Sequence, residues 1–260
     1  MIINKLKAFL VMKLVLAEPK FLKDSINVIS DLVNEVTLKI DKNKIELIAL
    51  DPANVAMIVF RLLSSAFVEY DIDKSQEISI NLDSLKQVLR RAKPRDVITL
   101  ELDDKKSRLK INFKGESSKT FNIALIDIED KEQKIPELNF PLRVELPSIV
   151  FDESVEDMSV VAESVALIAE KNKFIIQAES KLNTAKVEIT PDEETKITFS
   201  EEEAILSRYS LEYLKKIAKA SKLSDTVMLE FNKEYPLKAV FRVMDKVDLQ
   251  FILAPRVSND

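Results

Sequence analysis

The chain has 260 residues, 46% hydrophobic and 32% charged, with a formal net charge of −5; it can bury two modest cores and does not have the composition of a disordered protein. Gly115 is its only glycine, and it has no histidine, cysteine or tryptophan. These absences exclude glycine-rich phosphate loops, zinc fingers, cysteine and Ser-His-Asp nucleophiles and disulfides, while a pI near 5.2 argues against a general nucleic-acid sponge.

Lys13 interrupts the apolar N-terminal run, so residues 1–19 read as neither a signal peptide nor a span but as the lead into a strand over Lys13 to Leu16. No other stretch has spanning length, and a soluble intracellular protein is expected. The high charge without cysteine suits a hot environment. Pro19 opens a helix carrying Phe21, Leu22, Ile26, Ile29, Leu32 and Val33 at helical spacing. Strands follow at 36–40, 45–50, 55–62 and 78–82, the first two separated by the hairpin-like Lys42-Asn43-Lys44. A second helix, 82–93, is capped by Asn81 and stopped by Pro94, and strands near 97–102, 109–113 and 120–125 complete the first half.

Ala124 to Leu142 is acidic at first and then carries Pro136 and Pro141, which predicts an extended linker. Beyond it the order recurs. A helix over 148–163 turns Ile149, Val150, Val155, Met158 and Val161 or Ala162 inward. Strands follow at 165–169, 174–178, 185–189, 197–199 and 204–206, then a helix over 211–222 capped by Ser210, then strands at 226–231, 237–243 and 247–253. Val36 and Val165 stand 129 positions apart, and so do Leu82 and Leu211, Asn43 and Asn172, and Leu100-Glu101 and Leu229-Glu230. One ungapped offset across such long blocks marks a tandem duplication. The expected class is α+β, with two similar domains that each hold antiparallel sheets and two helices. Their bounds are 12–126 and 143–260, with a connector over 127–142.

The duplicated second helix carries Lys86, Arg90 and Lys93 at i, i+4 and i+7, with Arg91 beside them; in the second copy Lys215, Lys219 and Lys222 repeat the stripe, with Lys216 beside. One such stripe is ordinarily a solvated helix face. The same stripe twice on an acidic chain points to a shared basic surface that neutralises phosphates without reading bases. Asp103-Asp104, Asp127-Glu129-Asp130 and Glu201-Glu202-Glu203 hold enough carboxylates for a divalent ion, but such turns are usually just solvated. No metal, cofactor or catalytic residue is expected, and no acid–base pair is visible.

Leu50-Asp51-Pro52-Ala53-Asn54-Val55, Phe67-Val68-Glu69-Tyr70, Leu125-Ile126-Asp127, Ile135-Pro136-Glu137, Tyr209-Ser210, Tyr213-Leu214, Tyr235-Pro236-Leu237 and Leu253-Ala254-Pro255-Arg256 occur in order. With these motifs the chain resembles the sliding clamps of replication, the proliferating cell nuclear antigen family of archaeal type, from about Met12 to Val257. Residues 1–11 have no counterpart there, which makes Met12 an alternative start. The resemblance implies a DNA-clamp fold. Three chains close into a pseudo-sixfold ring around duplex DNA, without catalytic activity. It implies sequence-independent DNA contact through the two stripes together with Lys20 and Lys23 of the first helix, a charge that Asp24 and Asp31 balance. It implies a head-to-tail subunit contact through the strands holding Ser118, Thr120 and Asn122 and holding Thr184, Lys186 and Glu188.

A groove is implied for the short peptide motifs of a clamp loader, DNA polymerase, flap nuclease and DNA ligase. Its positions are Leu50, Val55, Gln133, Ile135, Pro136, Pro236, Ile252, Ala254, Pro255 and Arg256. Gln133 departs from the apolar residue of the pattern. The first helix of the second half departs as well: where the resemblance implies Lys or Arg facing the DNA, Asp152, Glu153, Glu156, Asp157 and Glu163 stand without a basic residue and would repel phosphate. That departure suits one of several non-identical subunits of a mixed ring as well as a homotrimer. No membrane partner is implied; the location would be cytoplasmic with the nucleoid in an archaeon and nuclear in a eukaryote. Two alternatives are a checkpoint or repair ring subunit of the same fold and, from another class, a carboxylate-metal nuclease.

Overall fold

The computed structural model describes residues 10–103, 107–128, 133–201 and 203–256. The first half runs β1 (Leu10–Leu16), α1 (Pro19–Ile29), β2 (Glu35–Ile40), β3 (Lys44–Leu50), β4 (Ala56–Leu63), β5 (Glu69–Ile72), β6 (Gln76–Asn81), α2 (Leu82–Leu89), β7 (Val97–Asp103), β8 (Arg108–Lys114) and β9 (Ser118–Ala124). The second runs β10 (Leu142–Pro147), α3 (Ser148–Ser159), β11 (Ser164–Glu170), β12 (Lys173–Glu179), β13 (Thr184–Ile189), β14 (Lys196–Phe199), β15 (Ile205–Ser210), α4 (Leu211–Ala218), β16 (Thr226–Phe231), β17 (Leu237–Val243) and β18 (Val247–Leu253). A 3-10 turn at Lys219–Lys222 continues α4.

Local chemistry explains most of these elements. Pro19 takes the first turn of α1, where its missing donor costs nothing. The Asn81 side chain accepts the N–H of Ser84 at 2.9 Å and caps α2. Ser210, expected to cap α4 in the same way, makes no side-chain bond there. The three later helices each end four residues before the predicted limits, because their last turns tighten before the strands that follow. Ile149, expected inward, is 56% exposed; Val150 and Phe151 take the inner side of that first turn. The pattern reading missed β5, whose EYDI alternates exposed and half-buried residues at a sheet edge. It also missed β10, left unassigned between the linker and the helix at 148, although Leu142, Val144 and Leu146 alternate into the core.

The duplication is visible element by element. The starts of α1 and α3, and of α2 and α4, lie 129 residues apart. A five-stranded sheet has the order β5-β1-β7-β8-β9 and a four-stranded sheet the order β13-β12-β11-β15. Between them lies a nine-stranded sheet, β14-β10-β16-β17-β18-β4-β3-β2-β6. Its first five strands are the repeat counterparts of the five-stranded sheet, and its last four those of the four-stranded sheet. The internal seam is the antiparallel pair β18–β4, with Leu249 opposite Phe60 and Phe251 opposite Ile58. These residues are fully buried beneath the helices, so the seam is a continuous sheet and core rather than a hinge.

All four helices lie in one layer. Helix α1 packs on α2, α3 on α4, and α1 also meets the turn after α4 across the seam. Gly115 is a packing requirement, since a Cβ there would stand 2.1 Å from Oδ1 of Asp96. That carboxylate is buried and accepts the N–H of Lys93 at 2.9 Å.

Candidate nucleic-acid interface and partner groove

The helix layer carries every predicted DNA-contact residue, but its charge is largely matched from within. Lys86 reaches Oδ1 of Asp31 at 2.9 Å and Lys219 reaches Oδ2 of the same carboxylate at 2.7 Å. Lys93 pairs with Glu116 at 2.5 Å, Lys215 with Glu156 at 3.1 Å, and Lys216 with Glu212 at 2.9 Å. Lys23 donates to the carbonyl of Ala92 at 3.2 Å. Lys20, Arg90, Arg91 and Lys222 are exposed, and among the described residues Arg90 and Arg91 have no ion-pair partner. The expected balancing of Lys20 and Lys23 by Asp31 is therefore corrected: Asp31 lies beyond the end of α1, nearer Lys86 and Lys219. Burial pushes its carboxyl up, but the hydrogen bonds and charges of Lys219 and Lys86 outweigh that and hold it below the usual range. Asp24 goes the other way, as burial raises it despite Lys20, Lys23 and Lys222 nearby.

The acidic face of α3 is partly consumed in the same way. Asp152 accepts the Ser221 hydroxyl at 2.9 Å, and Glu156 pairs with Lys215. Glu153, Asp157 and Glu163 are exposed, with Arg256 Nη2 3.9 Å from Glu163. Among the described residues the layer thus carries a few cations without an ion-pair partner beside self-paired ones.

The face of the nine-stranded sheet opposite the helices carries a second apolar cluster. Met57, Val59 and Ile252 are buried there, with Ile48, Leu50 and Leu138 against them. Leu138 belongs to the connector, which lies across the seam, and Phe140 meets Tyr235 edge to face with ring centroids 5.8 Å apart. Of the predicted groove residues, Leu50 and Ile252 are in this cluster, and Ile135, Pro136 and Gln133 lie on the connector beside its described start. Pro236 is half-buried next to Tyr235. Val55 instead packs toward the main core, and its carbonyl accepts the N–H of Ala254 at 2.9 Å. Pro255 and Arg256 line a depression of about 370 Å³ together with Leu206, Arg208, Lys233 and Glu234. The Arg256 N–H donates to Arg208 at 2.7 Å.

Met57, Val59 and Leu138 of the cluster, and Leu206 and Arg208 of the depression, are residues that the sequence reading did not name. A signal was present in AMIVFRLL, which is apolar on both strand faces where a one-sided strand alternates.

The loop beneath this groove is held by Asp51, a buried carboxylate. It accepts the N–H groups of Ala53, Val55 and Ala56 at 3.0, 2.7 and 2.7 Å, and the hydroxyl of Tyr213 on α4 at 2.6 Å. Burial raises this carboxyl, but the four hydrogen bonds outweigh it and the net shift is downward. The loop also holds Asn54 in a left-handed conformation, φ 56°, which asparagine tolerates. No group of acidic residues that could hold a metal ion occurs among the described residues; Asp104, Glu129, Asp130 and Glu202 lie outside them. Among the described residues no helix is long and apolar enough to cross a membrane.

Known proteins match nearly the whole chain. Residues 11–133 match the family model described as proliferating cell nuclear antigen, N-terminal domain, and residues 134–256 the model of its C-terminal domain. A DNA polymerase sliding clamp of Nanoarchaeum equitans is 36% identical over 247 residues, covering 94% of this chain and 99% of that protein. DNA polymerase sliding clamp 1 of Thermococcus kodakarensis is 34% identical over 236 residues, covering 91% and 94%. The crystal structure of the antigen from Thermococcus kodakaraensis superposes with a TM-score of 0.88 at 22% identity, covering 94% of this chain and all of that one; it shows the fold. These relatives are named as clamps, which leaves the metal-nuclease alternative without support. With a duplicated α+β fold, a single helix layer and both domain models in order, the chain belongs to the proliferating cell nuclear antigen family of DNA polymerase sliding clamps, non-catalytic processivity factors.

Proposed function

We propose that three such chains close head to tail around duplex DNA, with the helix layer toward the DNA and the connector face outward for client peptides. The two domains are 12–126 and 143–260, joined by the connector 127–142. The single observation that carries ring closure is the arithmetic of the sheets. Strands β9 and β13 are sheet edges, and their repeat counterparts β18 and β4 are the pair that forms the internal seam. Joining β9 of one chain to β13 of the next would make a second nine-stranded sheet, β5-β1-β7-β8-β9-β13-β12-β11-β15, in the same order as the first. It would also satisfy two rows of open backbone groups.

The internal register sets the proposed one. Core residues align Phe121 with Phe251 and Ala185 with Ile58, so Phe121 of one chain stands opposite Ala185 of the next. The neighbouring cross-strand pairs are then Ser118 with Glu188, Thr120 with Lys186 and Asn122 with Thr184, the six residues that the family resemblance implies. A chain without cysteine is a clean background for testing this. Oxidation of a Thr120→Cys, Lys186→Cys variant should yield covalent trimers on denaturing gels, whereas Thr120→Cys, Glu188→Cys should not. Cross-linking in the second variant alone would place the strands two residues out of register, and monomer from both would remove the contact.

The DNA reading rests on Lys20, Lys23, Arg90, Arg91 and Lys222, with the paired Lys86, Lys93, Lys215, Lys216 and Lys219 as a second tier. The client reading rests on the apolar cluster at Leu50 and Ile252, bordered by Val55, Gln133, Ile135, Pro136, Pro236, Ala254, Pro255 and Arg256. A clamp loader, DNA polymerase, flap nuclease and DNA ligase are the clients proposed. The proposed register pairs no like charges, so it accommodates identical neighbours and a mixed ring alike.

A further inference from the structure

We infer that Asp31 is a charge clamp that keeps the helix layer's grip on DNA weak, by holding Lys86 and Lys219 against the wall of the ring. The inference rests on the DNA reading proposed above. Both oxygens of one carboxylate are occupied, each by one lysine, at 2.9 and 2.7 Å. The site straddles the internal seam, for Asp31 and Lys86 come from the first half and Lys219 from the second. The Lys86 and Asp31 side chains are only 19% and 21% exposed, so water screens this pair less than it would a surface pair. An ammonium committed in this way reaches a phosphate only by breaking a partly desolvated ion pair.

The repeat supplies a comparison inside the same molecule. The counterpart of Asp31 is Val160 and that of Lys219 is Arg90, both 129 positions away. Val160 is 85% exposed, and Arg90 makes no ion pair among the described residues. Helix α3 therefore forms and packs without a carboxylate at this position, so the helix layer does not require one for folding. In the proposed ring, clamped lysines at each internal seam alternate with an unclamped arginine at each subunit seam.

The test uses the full-length chain and a short linear duplex, so that topology does not contribute, with anisotropy titrations over a range of salt concentrations. Asp31→Asn keeps the shape and removes the charge. It should tighten binding by about ten-fold at low salt and steepen the plot of log K against log salt by about 0.9 for each lysine that gains a phosphate. Lys86→Gln with Lys219→Gln in that background should abolish the gain. Val160→Asp, at a site exposed in the single chain, should weaken binding by placing an acid near Arg90 of the next chain in the proposed ring. Unchanged or weaker binding by Asp31→Asn with unaltered thermal stability overturns the clamp, as does Val160→Asp without effect. Charge reversal of Lys20, Arg90 and Arg91 tests the underlying reading separately: if that leaves DNA binding intact, the helix layer is not the DNA face at all.

Discussion

The first helix of each half meets the segment after the second helix, but the two halves make that contact with opposite charge. In the first half Lys23 on α1 donates to the Ala92 carbonyl; in the second, at the same repeat positions, Asp152 on α3 accepts from Ser221. The neighbouring contact keeps its sign but draws its acid from a different repeat position. Lys86 is held by Asp31, whereas its counterpart Lys215 is held by Glu156 and lies 3.3 Å from Ser159. The duplication has preserved where the helices are tied, while the sign of one tie and the position of the acid in the other have changed. The acids on α3, which look hostile to DNA as bare sequence, are in part the ties of the second half.

The largest break in this comparison comes from the core position that the helices share. Phe151 and Leu22 are repeat counterparts, both buried. Phe151→Ala should cost about 3–5 kcal/mol and Leu22→Ala about 2–5 kcal/mol by denaturant unfolding, with the phenylalanine the costlier of the two; equal losses would mean that the second half relaxes around the cavity. Next come the two hairpin tips. Gly115→Ala drives a methyl into the buried Asp96 carboxylate and should cost about 1–3 kcal/mol. Met244→Ala, at the matching tip and 82% exposed, should stay within about 0.5 kcal/mol.

A further effect concerns the tie between the Asp51 loop and the helix layer, which the first half has no residue to copy, since the counterpart of Tyr213 is Ser84. Tyr213→Phe removes a bond to a buried carboxylate and should cost about 1.5 kcal/mol. The hydrogen bond to Asp51, and then burial, push this phenol up to about 12. A raised folded-state value means that the contribution is complete below the unfolded value of 10.0 and is lost as pH rises toward about 12. The stability difference between parent and variant, followed by thermal melts across that window, should shrink; a constant difference would show that the bond does not control the titration.

Much of the architecture was legible before folding. Helical spacing, Pro19, Asn81 and the single offset are short-range or self-similar signals, and they survive without knowledge of neighbours. The proline-bearing connector was legible for the same reason, because proline acts on its own backbone and on the residue before it. What escaped were elements whose identity lies in their surroundings. Strand β5 is a sheet edge with little apolar content, β10 was hidden by the prolines beside it, and Met57 and Val59 stood in an apolar run whose second buried face no alternation marks.

The sequence by itself determined the repeat, the helix and strand periodicities and the positions of the basic stripes, because each depends on residues a few positions apart or on identity between copies. Only the tertiary structure decided which of those charges are free. Lys219 and Asp31 are 188 residues apart, as are no two residues that a local pattern can join. Coulomb energy falls with distance and with exposure, and both are settled only when β18 pairs with β4 and brings the two halves' helices into one layer.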